Sequence, residues 1–346
     1  MSAGGESSRY DRQIRLRNIG QSGQQRLFAA TVAVLGCGAL GTVVADILAR
    51  AGLGSLRLID RDVVEWTNLQ RQSLFCEEDA RSGRAKADAA CLAILRANSS
   101  VRCDPIVSDV TPDNIAGLLG GCDLVVDAVD NFATRMLLND FSLAHGLPWV
   151  HGGCVGTVGQ VAFFSGRGRP CFRCLVPTVP PSSVVETCDT AGVLGSATHA
   201  IASLQATVAL KYLTGNETAI ASGVLSLDFW NNRYRTIEIS DSLSDACIAC
   251  VERRFDFLEG TSAGVASVIC GRNAVQLNPD KGIQIDLPKI AFKWELLGET
   301  ESNRFFVRLR ISESETLTVF RDGRVIVEGT DQISRARSLV SQLLGG

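Results

Sequence analysis

The residues with the clearest chemistry stand in a spaced series: Asp60, Asp62, Asn68, Arg71, Gln72, Lys86, Asp130 and Asn131. Carboxylates at strand ends hold ribose hydroxyls or a magnesium ion. Arginine meets phosphate bidentately, and lysine meets it as a point charge. Asp60 lies nineteen residues past Gly41, a spacing that suits a ribose-binding carboxylate after a glycine turn. Asn68 and Arg71 follow at once, and a hydride-transfer enzyme has no need of that pair. Lys86 is one of five lysines among 34 Lys plus Arg, and the only lysine in the first 210 residues. Near a helix start a cation opposes the dipole by ~0.3–1 kcal/mol. A solvated lysine there is the plain reading, and a phosphate ligand is the favoured one. Asp130 reads as a magnesium ligand and also as a cap for the next helix, two roles that are compatible.

A second set is built from sulfur. Cys171-Phe-Arg-Cys174 and Cys247-Ile-Ala-Cys250 are two CxxC pairs among twelve cysteines. One pair alone would be ambiguous with a redox motif. Two predict a closed, tetrahedral, structural zinc site that ties a distant segment to the body. Cys188 lies in the proline-bearing stretch 176–190, read as an extended loop. A loop cysteine near a helix start can be a nucleophile, or an ordinary thiol. His145, His151 and His199 fit no ligand or triad pattern and read as structural. Cys37, inside the glycine turn, reads as a small packing residue.

These residues must be positioned by an alternation of strands and helices. Thr31–Leu35 is a short apolar run that ends in GCGALG, with Gly36, Gly38, Ala39 and Gly41 at the turn into a helix. Such glycines let a phosphate approach helix N–H groups. Further strands are expected at 55–60, 101–107, 124–127, 149–155 and 160–164, with an antiparallel pair at 224–229 and 234–239. Ser22 with Gln25 predicts a helix through Ala30, Ser82 a helix cap running to about Ala97, and Thr111-Pro112 a helix start. A long uncharged helix is expected over 191–213. The fold class is α/β: a Rossmann-like, mostly parallel sheet with helices on both faces and an antiparallel C-terminal part. Residues 1–8 are expected to be disordered, 9–250 to form the main domain, 251–265 a linker, and 266–346 a small α+β appendage.

Composition narrows the class. A net charge of −3 gives no electrostatic reason for nucleic acid or an anionic membrane as partner. No apolar run reaches the ~20 residues of a bilayer span. The polar start MSAGGESSRYDRQ has no signal-peptide core. The chain therefore reads as cytoplasmic.

Together, RYDRQI, GCGALG, LIDRDVVEWTNLQRQ, the helix of Lys86, DAVDN and the paired CxxC motifs resemble the E1-like (ThiF/MoeB/HesA) adenylyltransferases, most nearly the bacterial ThiF and MoeB enzymes. The resemblance covers about residues 9–250. It implies binding of Mg²⁺ and ATP, and adenylation of the C-terminal glycine of a small ubiquitin-like sulfur carrier ending in Gly-Gly, for thiamine or molybdopterin synthesis. It implies that Asp60 holds the ribose, that Asn68, Arg71 and Lys86 contact phosphates, and that Asp130 holds Mg²⁺. Arg12 matches an arginine that reaches the ATP of the other subunit, which implies a homodimer. Cys188 matches a cysteine that some members link covalently to the carrier, while others work without it. A cysteine desulfurase or sulfurtransferase is the implied sulfur-supplying partner. Ala39 departs from a common glycine, and Cys270-Gly-Arg is no sulfurtransferase cradle. The competing readings are an E1-like enzyme acting on a non-protein carboxylate, as in tRNA threonylcarbamoyladenosine cyclisation, an NAD-dependent oxidoreductase, and a non-catalytic binding module.

Overall fold

The computed structural model describes residues 9–180, 188–239, 245–260, 266–269, 273–277 and 285–344. It divides into two compact units, Met1–Thr261 and Ser262–Gly346.

In the first unit the apolar runs become strands β1 (Thr31–Leu35), β2 (Ser55–Ile59), β3 (Arg102–Ile106), β4 (Leu124–Asp127), β5 (Trp149–Val155), β6 (Val158–Phe164), β7 (Val224–Asp228) and β8 (Arg233–Ile237). They form an eight-stranded sheet in the order β3-β2-β1-β4-β5-β6-β7-β8. The first five are parallel, and β6, β7 and β8 are antiparallel to their neighbours. β1 and β4 are buried almost throughout, which is why they read as continuous apolar runs rather than alternating ones. From β1 the chain crosses to β2 and β3 on one side, then to β4 and β5 on the other. The β1/β4 junction is therefore the point where strand order reverses, and ligands of open α/β sheets collect there at the carboxyl ends.

Helices cover both faces. Gly41–Arg50, Lys86–Ala97 and Gly195–Leu213 share one core with Val32, Val34, Leu56 and Val126. Ile115–Leu119 and Phe132–His145 share the other with Ala33, Leu35, Val125 and Trp149. Phe257 and Leu258 pack into this second core, so the first unit continues past the last CxxC pair. Among the described residues no helix is long and apolar enough to cross a membrane.

Several helix starts differ from the sequence expectation. Ser22 lies inside the helix Gly20–Ala29, which has no side-chain cap. Ser82 terminates the short helix Glu77–Arg81, and its hydroxyl donates back to the Glu78 carbonyl at 2.8 Å. The next helix begins at Lys86. Thr111-Pro112 enters a turn, and the helix Ile115–Leu119 begins after Asn114, whose Oδ1 accepts the Thr111 N–H. The long helix begins at Gly195 rather than near Ala191.

The second unit has a six-stranded antiparallel sheet, β11 (Thr300–Ser302), β12 (Phe306–Arg310), β13 (Thr316–Phe320), β14 (Val325–Glu328), β10 (Ala274–Leu277) and β9 (Ala266–Ile269), in that order. Helices Leu287–Glu295 and Ile333–Leu344 pack Leu287, Ala291, Trp294, Ala336 and Leu339 against its alternating Val and Leu side chains. Cys270 and the terminal Gly345-Gly346 lie outside the described residues, as do 1–8 and 181–187.

Candidate active site

The glycine turn is held by backbone contact. Gly36 has φ +89°, and a Cβ there would come within 2.6 Å of the Ala128 carbonyl oxygen. A Cβ on Gly41 would lie 1.8 Å from the Gly36 carbonyl oxygen. Both positions therefore exclude a side chain. At Gly38 a Cβ would meet only Gln72 Nε2, at 4.0 Å, so the space above this residue is open. The result is a cradle at the start of the helix Gly41–Arg50, with the open side where a phosphate would approach.

The carboxylate after β2 braces this turn. Asp60 Oδ2 accepts the Cys37 N–H at 2.6 Å, and Oδ1 accepts the Asp62 N–H at 2.7 Å. Burial pushes its carboxyl above the usual range, while Lys86 pulls it back down. Cys37 is buried, as expected of a packing residue, and its thiol is pushed well up by the same burial.

Lys86 is the first residue of its helix and is only 5 % exposed. Its Nζ lies 3.3 Å from Asp62 Oδ2, and its N–H donates to the Asp62 carbonyl at 2.9 Å. Asp62 thus braces both ends of the lysine, and the solvated reading is corrected. Removing a charge this buried from water is tolerated only with partners. Asn68 is buried at the end of a 3₁₀ turn, Trp66–Asn68, and its Oδ1 accepts the Glu65 N–H. Arg71 follows, its guanidinium donating to the Thr67 carbonyl at 2.8 Å. Gln72 is buried beside Gly38, and its Oε1 has no hydrogen-bond partner. Its amide nitrogen is the group nearest the open side of Gly38, where it could donate to a phosphate.

At the reversal point, β4 ends at Asp127, and Asp130 and Asn131 lie in the loop beyond it rather than on the strand. The Ala128 N–H donates to the Leu35 carbonyl, which places this loop beside the glycine turn. Asp130 is exposed. Asn131, not Asp130, caps the helix Phe132–His145, accepting the Thr134 N–H at 2.9 Å. An exposed carboxylate near a phosphate cradle suits Mg²⁺, which binds through one or two carboxylates plus substrate phosphates.

Arg12 stands apart. It is exposed on the short helix Asp11–Ile14. Gln13 Nε2 donates to the Ala51 carbonyl, just past the end of the helix Gly41–Arg50. That end is about 15 Å from the glycine turn, the length of the helix. The structure therefore does not bring Arg12 to its own chain's cradle. Cys188 opens the four-residue helix Cys188–Ala191, and its side chain lies outside the described residues.

The two CxxC pairs meet. Cys171, Cys174, Cys247 and Cys250 are buried, with all ligand atoms within 4.8 Å of one another. The Sγ separations are 3.8 Å for Cys171–Cys174 and 3.6 Å for both Cys171–Cys247 and Cys174–Cys250. A tetrahedron with Zn–S near ~2.3 Å has edges of about 3.8 Å, so the donor set fits zinc. A hydrogen bond from Cys171 pulls the Cys174 thiol down to about 5, and Cys171 is pushed up in exchange.

Sequence reasoning missed one cluster. Asp127 is fully buried, and its Oδ2 meets His151 Nδ1 at 2.7 Å and Arg135 Nε at 3.1 Å. Arg135 and hydrogen bonding to His151 hold this carboxyl below the usual range despite burial. Burial pushes the His151 imidazole below its usual range. His151 reads as structural, and its partner, 24 residues away in sequence, is the residue paired with it on the neighbouring strand β4.

The ThiF family model matches residues 10–265. The chain belongs to the ThiF family. Among individual proteins, it is 38 % identical over 340 residues to the sulfur carrier protein ThiS adenylyltransferase of Bacillus subtilis, covering 98 % of this chain and all of that protein. It is 37 % identical to the adenylyltransferase and sulfurtransferase MOCS3 of Sus scrofa, but spans only 62 % of that protein's length. A SAMP-activating enzyme E1 of Haloferax volcanii is 37 % identical over 72 % of this chain and 91 % of its own. The crystal structure of E. coli MccB with ATP has the same fold, with a TM-score of 0.60, 23 % identity, and coverage of 70 % of this chain and 74 % of that one.

Proposed function

We propose that this ThiF-family protein adenylates the C-terminal glycine carboxylate of a small ubiquitin-like sulfur carrier, releasing pyrophosphate. The observation that carries the reading is the cradle itself: Gly36, Gly38 and Gly41 facing Asp60, with Lys86 braced by Asp62 beside it. The whole-length similarity to a ThiS adenylyltransferase supports the carrier as substrate.

In this reading Asp60 holds the ribose hydroxyls, and the open side of Gly38 receives phosphate. Asn68, Arg71, Gln72 and Lys86 orient the triphosphate and stabilise charge on the in-line transition state, a task of positioning and electrostatics. The carrier's carboxylate oxygen attacks the α-phosphorus, the bond to the bridging oxygen breaks, and pyrophosphate leaves. The nucleophile arrives on the carrier, so no side-chain base is required. Mg²⁺, held by Asp130, would neutralise phosphate charge. Arg12 serves the site of a partner subunit in a homodimer, which accounts for its distance from its own cradle. Cys188 is the candidate acceptor of the activated carboxyl in a later step. A cysteine desulfurase or sulfurtransferase then supplies sulfur.

The test is ATP–pyrophosphate exchange with purified carriers ending in Gly-Gly. Exchange that depends on both the carrier and its terminal glycine supports the reading. A tRNA-dependent or nicotinamide-dependent reaction without such exchange refutes it.

A further inference from the structure

We propose that Asp127 and Arg135 are positioning residues for Asp130, and that they set the affinity of the site for its divalent cation. This rests on Asp130 as the metal ligand. The argument is one of backbone geometry. Asp130 is exposed, so what the fold can fix is its backbone, and with it the direction in which its Cβ leaves the loop. The residue before it, Val129, has both main-chain groups claimed. Its N–H donates to Asp127 Oδ1 at 3.1 Å, and its carbonyl accepts from Arg135 Nη2 at 2.6 Å. The residue after it, Asn131, is locked as the helix cap.

The same guanidinium donates to Asp127 Oδ2 at 3.1 Å and to the Gly152 carbonyl at 3.2 Å. It therefore ties the loop to the middle of β5. Gln205 Nε2, from the long helix, donates to the Asp127 carbonyl at 2.8 Å and completes the frame. Asp127 is wholly buried and Arg135 nearly so, and neither needs to touch a ligand to act. A buried ion pair is weak as a source of stability, because desolvation offsets the attraction. Its value here is directional: one arginine grips a strand end, the loop carbonyl before Asp130 and the neighbouring strand.

The test uses Mn²⁺ in place of Mg²⁺, titrated into the full-length protein saturated with α,β-methylene-ATP, with free Mn²⁺ read by electron paramagnetic resonance. The double variant Asp127→Asn/Arg135→Met removes the grip without leaving a lone buried charge. It is expected to weaken Mn²⁺ binding by about tenfold or more, as does Asp130→Asn, while metal-free nucleotide binding and bound zinc stay at parental values. Arg135→Lys keeps the charge and loses the fork. It is expected to show a smaller loss, and it stands in if the double variant does not fold. Parental Mn²⁺ affinity in these variants, with Asp130→Asn weakened, overturns the positioning role alone. Parental affinity in Asp130→Asn overturns the metal reading and the proposal with it.

Discussion

Asp60 follows the last residue of β2 and Asp127 ends β4, the strands on either side of β1, yet they are treated in opposite ways. Asp60 is met by two backbone N–H groups, and its environment raises its pKa. Asp127 is met by a guanidinium and an imidazole, and its pKa is lowered. The first arrangement holds the carboxylate by backbone groups and the nearby Lys86 charge, as the proposed ribose-binding role requires. The second spends its carboxylate entirely on internal partners. Asp127 is level with Ile59 across β1, one residue before Asp60, and the neighbours of each aspartate differ in kind: backbone N–H groups for one, charged and polar side chains for the other.

This contrast can be broken by substitution. Lys86→Ala should have the largest effect on activity, about 10²–10³-fold in exchange rate, as for loss of one oriented donor at a charged transition state. Full exchange activity in this variant would remove Lys86 from the site. Asp127→Asn alone leaves Arg135 buried and unpaired, which costs about 3–5 kcal/mol. The midpoint of thermal unfolding should then fall by roughly 10 °C. Asp60→Asn should do the reverse. It should change the melting temperature by less than about 2 °C, since it removes a buried charge. It should weaken ATP binding by about 10–100-fold, the value of a hydrogen bond to a charged group. Equal thermal losses in the two variants would erase the distinction.

Much of this division was legible in the sequence, and part of it was not. The strands were, because β1, β2 and β4 are apolar runs bounded by glycine or polar residues. Asp60 stood out by its spacing after the glycine turn, Asp62 by following it directly, and Lys86 by being the only lysine in the first 210 residues. Asp127 was read only as the last residue of a strand. Its partners, Arg135 and His151, lie on the following helix and on the next strand, β5, and no local sequence pattern links them. Helix starts were misplaced for a similar reason. Ser82 looked like a cap for the helix of Lys86. That helix has no side-chain cap, and its first N–H goes instead to the Asp62 carbonyl.

The smallest predicted effect concerns pH. His151 has a folded pKa below its unfolded value, so the unfolded chain binds more protons as pH falls below about 6.5. Asp127, also lowered in the fold, adds the same sign of effect below about pH 4. Thermal stability should therefore decline with acid in two stages. His151→Asn, which keeps a donor toward Asp127, should flatten the first stage only. An unchanged profile in that variant would remove His151 from the account.

The central claim is tested most directly by isotope exchange between pyrophosphate and ATP, with wild-type protein, Mg²⁺ and a purified ThiS-type carrier. Rapid exchange is predicted with the intact Gly-Gly tail and none with the terminal glycine deleted. Exchange that ignores the tail, or no exchange with any carrier ending in Gly-Gly, would contradict it.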